Sequence, residues 1–258
     1  VAAEYRTALV TGASSGLGRG LCLWLARRGT RVYAAARREE RLSALAEEAK
    51  GDGRVQAAGG AVEPLALDVA DREGTHARVG ALDAACGGLD LVVANAGAGG
   101  DTDARAFDWE QACRILDVNV NGAAATLAAA LPGMVARGRG HLVGVSSLAG
   151  YRGISRNAAY SASKAFLTTF MESLRVDLAG TPLRVTCIHP GYVRTEMTAG
   201  ITHAMPLALE AERAVELMGR AILRGRGTYG FPWPVAAAMG VLRVLPDALY
   251  DRTIRRFH

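Results

Sequence analysis

Cysteine is scarce and scattered. The four cysteines, Cys22, Cys86, Cys113 and Cys187, form no C-x-x-C pair and have no histidine at ligand spacing. That argues against zinc and iron–sulfur centres, and no metal site is expected. Spread over 258 residues, they read as buried small hydrophobes of a reducing, cytoplasmic compartment. Aromatic residues make up only 6 % of the chain and are not interleaved with basic runs. A stacking platform for single strands is therefore not expected, nor a nucleic-acid partner. No signal-peptide pattern is read at the start, where the chain passes Glu4 and Arg6 into a short strand. The alanine stretches are interrupted too often to be read as transmembrane helices. Charge of one sign is also modest: 30 Lys and Arg against 25 Asp and Glu leave +5, dominated by Arg. Such a surplus suits an anionic cofactor.

Apolar residues supply half of the chain, enough to bury a large core without staples. They come in an alternating order of strands and helices. Tyr5–Val10, Arg31–Ala35, Val62–Leu67, Leu89–Ala94, Gly140–Ser146 and Leu183–Ile188 read as strands, with Thr228–Phe231 as a short last one. Between them, residues 16–28, 39–50, 71–86, 108–137, 160–178 and 210–224 read as helices. Gly51-Asp52-Gly53 and Gly59-Gly60 read as loop, and Asn119 and Asn121 are unusual guests in a long helix. Apolar runs with little alternation fit buried parallel strands. The expected fold is α/β, a Rossmann-type doubly wound parallel sheet with helices on both faces, a three-layer sandwich. No repeat or low-complexity linker divides it, so residues 1–258 read as one domain.

After the first strand comes Thr11-Gly12-Ala13-Ser14-Ser15-Gly16-Leu17-Gly18. A glycine-dense turn between strand and helix is a setting for a dinucleotide pyrophosphate, because backbone N–H groups there can approach phosphate oxygens. The plain alternative is a Gly/Ser-rich surface turn, and the nucleotide site is the favoured reading. Where an NAD site carries an acidic residue for the ribose hydroxyls, this chain has Ala36 followed by Arg37 and Arg38. The Arg37 fork there suits the 2′-phosphate of NADP, with Arg38 beside it and Ser14 or Ser15 adding a hydroxyl; the plain alternative is a pair of solvated charges. NADP(H) is preferred over NAD(H) on this ground. Asp68-Val69 and Asn95-Ala96-Gly97 end two strands at the carboxyl edge, where ligands bind. Asp68 reads as near the adenine or as a strand-exit turn residue, and Asn95–Gly97 as lining the ribose.

Tyr160 and Lys164 are four apart at the start of a helix and can face one pocket. A nearby ammonium would lower the tyrosine pKa, although such a pair is often mere surface decoration. Ser147 stands where a strand leaves the sheet, and Asn119 either interrupts its helix or holds a water behind the lysine.

With these residues in order from the N-terminus to about residue 195, the chain resembles the classical short-chain dehydrogenases/reductases. The match comprises the segment 11–18, Asp68-Val69, Asn95-Ala96-Gly97, Asn119, Ser147, Tyr160-Ser161-Ala162-Ser163-Lys164 and Pro190-Gly191. One departure is Ala94, where the family more often has asparagine. The resemblance implies a seven-stranded sheet and a catalytic tetrad of Asn119, Ser147, Tyr160 and Lys164. Tyr160 would be the general acid or base, Ser147 would polarise the carbonyl, and Lys164 would tune the tyrosine and hold the nicotinamide ribose. Asn119 would support a water relay. It also implies carboxamide contacts from Pro190, Gly191, Val193 and Thr195, and a homodimer or homotetramer joined through the helices near 108–136 and 160–178.

In such a protein, Leu148, Tyr151, Ile154, Tyr192, Met197, Ile201, Met205, Leu207 and Leu209 would form an apolar wall, with a substrate segment at about 192–210. A hydrophobic or aromatic ketone or alcohol is the expected substrate. His203 reads as a substrate contact or, more plainly, a loop histidine. The extension from about 231 to 258 carries Met239, Leu242, Leu245 and Leu249 at helical spacing, broken by Pro246 into two short helices, followed by Arg252, Arg255 and Arg256. Subunit packing or a lid over the substrate is favoured over a helix lying on an anionic membrane. The expected function is NADP-dependent reduction of a hydrophobic ketone. An NAD-dependent secondary alcohol dehydrogenase and a non-catalytic nucleotide sensor are the alternatives.

Overall fold

The computed structural model describes residues 4–201 and 205–254. Its strands are β1 (Thr7–Thr11), β2 (Arg31–Ala36), β3 (Ala61–Ala66), β4 (Leu91–Ala94), β5 (His141–Val145), β6 (Arg184–Pro190), β7 (Val193–Arg194), β8 (Leu209–Glu210) and β9 (Thr228–Phe231). The helices are α1 (Gly16–Ala26), α2 (Glu39–Gly51), α3 (Gly53–Ala58), α4 (Arg72–Ala85), α5 (Trp109–Leu116), α6 (Ala123–Arg137), α7 (Ala158–Asp177), α8 (Ala211–Leu223), α9 (Trp233–Val244) and α10 (Asp247–Ile254). Seven strands form one parallel sheet in the order β3-β2-β1-β4-β5-β6-β9. The chain winds outward from β1 in one direction and then from β4 in the other, so the order reverses between β1 and β4.

Central strands β1, β4 and β5 are almost wholly buried, which is why their sequences are apolar runs without alternation. Val10 and Val93 face a core shared with α1, α2 and α8, while Leu9 and Val92 face one shared with α4, α6 and α7. This three-layer fold is the one expected from the strand–helix order. Two details differ. The stretch read as loop around Gly53 contains α3, which starts because the Asp52 carboxylate accepts from the Arg54 N–H, an N-cap. The segment after β6 forms a small parallel pair, β7 with β8, too short to show periodicity.

The long helix from 109 to 137 is interrupted at Asp117–Gly122 by a π-helical turn that contains Asn119. By length and composition this 29-residue stretch is apolar enough to cross a membrane, a property that a buried core helix shares. Here its inward face, with Leu127, Ala130 and Met134, lies in the core against the sheet. The tail bends at Pro246 into two helices, as its broken spacing predicts. Cys22 and Cys187 are buried, Cys86 and Cys113 half-buried, and all four are unpaired.

A nearly buried ion pair braces α4 against α6. Arg137 reaches the Asp83 carboxylate with both terminal nitrogens at 2.7 Å, and Asp83 also accepts from the Leu89 N–H. Burial works to raise the Asp83 carboxyl, but the Arg137 fork and the Leu89 bond outweigh it and hold it below the usual range. Asp83→Ala strands the guanidinium and is expected to lower stability at pH 7 by about 3 kcal/mol, read from urea unfolding. A folded-state pKa below the unfolded value of about 4 means this contribution is present above that pH and fades as pH falls through the folded value. The gap between wild type and variant should therefore narrow at pH 3.

Candidate active site

The reversal of strand order leaves a crevice beyond the carboxyl ends of β1 and β4, and the chain pins it open with a few polar groups. Thr11 Oγ donates to the Val93 carbonyl and accepts from the Asn95 and Ala96 N–H groups, both at 3.1 Å. Asn95 Nδ2 donates back to the Thr11 carbonyl at 2.9 Å. The glycine turn lies directly on this clasp. A Cβ at Gly12 would stand 2.7 Å from Ala96 Cα, and one at Gly18 2.4 Å from the Gly12 carbonyl oxygen and 2.5 Å from Asn95 Nδ2. Gly12 and Gly16 also have φ of +69° and +53°, a region side chains resist.

One cleft runs along this edge. It is lined by Gly12, Ser14, Ser15, Gly16, Leu17, Gly18, Arg37, Arg38, Asp68, Val69, Asn95, Ala96, Gly97, Ser147, Tyr160, Lys164, Pro190, Gly191, Val193 and Thr195, so it gathers nearly every residue expected to bind cofactor or to catalyse. Among those, Asn119 is the exception. It is buried behind the wall, where Oδ1 accepts from the Ala98 N–H at 2.7 Å and Nδ2 donates to the Ala98 carbonyl and Ser163 Oγ, both at 2.9 Å. Its side chain thus ties the loop after β4 to the second turn of α7.

At one end of the cleft, Ser147 caps the 3-10 turn Leu148–Gly150, accepting from the Ala149 N–H. Ser146 Oγ donates to the Lys164 carbonyl at 2.8 Å and meets Thr168 Oγ at 2.9 Å, stapling α7 to the end of β5. That contact sets the register that brings Tyr160 and Lys164 to the cleft. Lys164 Nζ donates to the Val145 carbonyl at 2.9 Å and lies 5.7 Å from the Tyr160 ring centre. Burial pushes its ammonium down to about 8. Burial also pushes the Tyr160 phenol up, against a lowering hydrogen bond with Ser147. In this enclosure desolvation outweighs that bond, so the net direction for the tyrosine is upward rather than the lowering expected from its spacing to Lys164.

At the other end, Arg38 sets its fork on the phosphate turn, with Nε and Nη2 donating to Ser14 Oγ at 3.1 and 2.8 Å and Nη2 to Ser15 Oγ at 3.0 Å. Arg37 is exposed at the same rim and makes no side-chain hydrogen bond among the described residues. Sequence position puts Arg37 first at the ribose phosphate; in the structure it is Arg38 that meets Ser14 and Ser15. Asp68 accepts from the Ala70 N–H, the turn-forming role, while lining the cleft. Gly16 faces Thr195 across the gap, a Cβ there lying 3.3 Å from Thr195 Cγ2. A glycine turn, a serine pair under a guanidinium and an opposing threonine wall fit an extended, phosphate-bearing ligand.

A short-chain dehydrogenase family model matches residues 6–206. The chain belongs to the short-chain dehydrogenase/reductase family. This short-chain dehydrogenase/reductase is 61 % identical over 253 residues to an uncharacterized oxidoreductase of Myxococcus xanthus, covering 98 % of each chain. Among solved structures, it resembles a short-chain dehydrogenase/reductase of Mycobacterium ulcerans with a TM-score of 0.78 and 29 % identity, over 87 % of each chain. A short-chain dehydrogenase of Sphingobium yanoikuyae in complex with NADPH gives 0.78 and 27 % over 94 % of this chain and 97 % of that one. Family membership makes the protein an NAD(P)-dependent oxidoreductase.

Of the residues expected to form the substrate wall, Leu148 is 3 % exposed and belongs to the interior, and Leu209 packs against the core. Met197 lines the cleft. His203, Arg255 and Arg256 lie outside the described residues. Sequence reading missed the fastening of the tail to the loop after Ser147. Arg152 donates to the carbonyls of Leu242, Arg243 and Leu245 at the end of α9, pairs with Asp247, and lies over the Tyr250 ring. Tyr250 donates to the Gly153 carbonyl. Orphan carbonyls at a helix C-terminus attract a guanidinium, but a contact 90 residues away in sequence leaves no local pattern. In Arg152→Ala, amides of residues 233–254 should exchange about tenfold faster or more, with global Tm changing by only a few degrees, roughly 2–4 °C. Unchanged exchange in the tail would remove Arg152 as its anchor.

Proposed function

We propose that this protein is an NADP-dependent reductase of a hydrophobic or aromatic ketone, working in reverse on the matching secondary alcohol. The observation that carries the reading is a convergence: Ser147, Tyr160 and Lys164 line one end of a cleft whose other end holds Arg38 over Ser14 and Ser15. When bound, the nicotinamide supplies or accepts the hydride.

The remaining work falls to the chain. The Ser147 hydroxyl hydrogen-bonds the substrate oxygen and orients it toward Tyr160. A phenol raised by burial stays protonated at neutral pH, which is the state a proton donor to a forming alkoxide needs. The Lys164 ammonium, held between Val145 and the tyrosine ring, favours negative charge on the phenol as the proton leaves, and it would hold the nicotinamide ribose. Asn119 acts behind them by positioning the Ala98 loop and α7. Gly12, Gly16, Leu17 and Gly18 would carry the pyrophosphate, Asp68, Val69 and Asn95–Gly97 the adenosine, and Pro190, Gly191, Val193 and Thr195 the carboxamide.

Support for NADP comes from the Arg38 fork and from the Sphingobium relative's complex with NADPH. Support for an apolar substrate comes from Met197, 54 % exposed at the cleft, and the half-buried Tyr151, Ile154 and Tyr192. An oligomer built on α5–α7 is favoured by the exposed Trp109, Phe166 and Val176 on those helices. Four unpaired cysteines suit the cytoplasm.

Tyr160→Phe is expected to cut turnover about 100-fold to 10,000-fold while NADPH binding stays within about threefold. Arg38→Ala should weaken NADPH about tenfold and NADH less than about twofold, with a smaller effect in Arg37→Ala. Fluorescence titration of the reduced cofactors reads this directly. Equal losses for NADPH and NADH in Arg38→Ala would remove the NADP assignment.

A further inference from the structure

The substrate-side segment reaches across the cleft and holds the arginines proposed for the cofactor phosphate. Glu196 opens the 3-10 turn Glu196–Thr198 just after β7. Its Oε2 accepts from Arg38 Nη1 at 3.3 Å and its Oε1 from Arg41 Nη1 at 2.6 Å. Arg41 stands in the first turns of α2, so one carboxylate joins the β2–α2 connection to the segment beyond β7. Arg38 is already bound to Ser14 and Ser15 on its other edge, leaving Nη1 for an anion at the rim. Glu196 itself lines the cleft. Thr195 and Thr198 fix its starting point: Thr198 Oγ accepts from the Thr195 N–H and donates to the Val193 carbonyl.

Two guanidiniums therefore converge on a single carboxylate beside the serine pair. A carboxylate carries one negative charge and two acceptor oxygens. A phosphate monoester carries about −1.5 to −2 and three, and Arg forks match it equally well. Both anions cannot occupy Nη1 of Arg38 together without strong like-charge repulsion.

We propose that Glu196 is an internal competitor for the 2′-phosphate of NADP(H), displaced from Arg38 and Arg41 when that phosphate binds. The proposal rests on the NADP reading above and deepens it. It makes Glu196 a specificity-determining residue, because its carboxylate subtracts from the affinity of the phosphorylated cofactor alone. It also couples cofactor identity to the substrate side. A ligand with the 2′-phosphate releases residues 196–201 from α2, and one without it leaves the tether in place.

Adenosine 2′,5′-bisphosphate and 5′-AMP isolate the phosphate from the nicotinamide and need no turnover. By calorimetry, Glu196→Gln is expected to bind the bisphosphate about threefold to tenfold more tightly than wild type, with 5′-AMP changed by less than about twofold. In wild type, the bisphosphate should speed amide hydrogen exchange in residues 196–201, and 5′-AMP should not. Weaker or unchanged bisphosphate binding in Glu196→Gln, or equal exchange with the two ligands, overturns the competition. Arg38→Ala separates the two readings. If it leaves bisphosphate affinity unchanged, the NADP assignment falls and this inference with it. If it weakens the bisphosphate while Glu196→Gln gains nothing, the competition alone falls.

Discussion

The site depends on the clasp between Thr11 and Asn95. Two parallel strands whose following helices leave to opposite faces must part at their carboxyl ends, and the backbone groups there lose their sheet partners. Thr11 Oγ and Asn95 Nδ2 satisfy four of those groups within the gap. The arrangement leaves no room for a Cβ at 12 or 18, so glycine at both follows from packing against the clasp, and at 12 from φ as well. A phosphate loop is thus a consequence of how β1 and β4 separate. Ala94, where the family more often has asparagine, sits in β4 and is 2 % exposed, below the clasp, so that departure leaves the cleft untouched.

At the catalytic end, burial governs. Tyr160 and Lys164 are brought to the cleft by the staple between Ser146 and α7, and the same enclosure that fixes them strips away water. Both groups move toward their neutral forms: the phenol upward and the ammonium down to about 8. His189, next to Pro190, is likewise buried and held down to about 4, with its Nδ1 facing the Ser147 carbonyl. The site thus keeps charge to a minimum until a cofactor and substrate bring their own. Electrostatic stabilisation is worth most in such a place, because few free charges and little water compete.

Much of this was legible in the sequence because it is local or periodic. Unbroken apolar strands, glycine turns and a tyrosine–lysine pair at helical spacing each leave a signature within a few residues. Lys164 carries a further one, since Lys50 is the only other lysine in this arginine-rich chain. What escaped reading depends on contacts between distant segments. The π turn at Asn119 has no composition of its own and serves contacts with Ala98 and Ser163. The choice between Arg37 and Arg38 turns on which side chain beyond β2 reaches Ser14, which spacing does not state. Leu148 resembles a pocket residue in sequence but fills space beside Gly191 and Gly230, where the chain offers no side chain.

The cleft is consequently assembled from connections that have little to hold them to one another apart from side-chain polar groups. Arg152 gathers the end of α9 onto the loop after Ser147, while Arg38 joins the segment after β7 to the phosphate turn and Arg41 joins it to α2. In each case a guanidinium serves, because its several donors can satisfy partners on two elements at once. The two differ in burial. Arg152 has 16 % of its side chain exposed, against 40 % for Arg38 and 43 % for Arg41. Exposed pairs contribute little and yield to salt or to a stronger anion, whereas a shielded guanidinium bound to helix-end carbonyls has no such competitor. The tail is therefore fixed to the loop after Ser147, and the segment beginning at Glu196 is the one whose attachment a ligand can exchange.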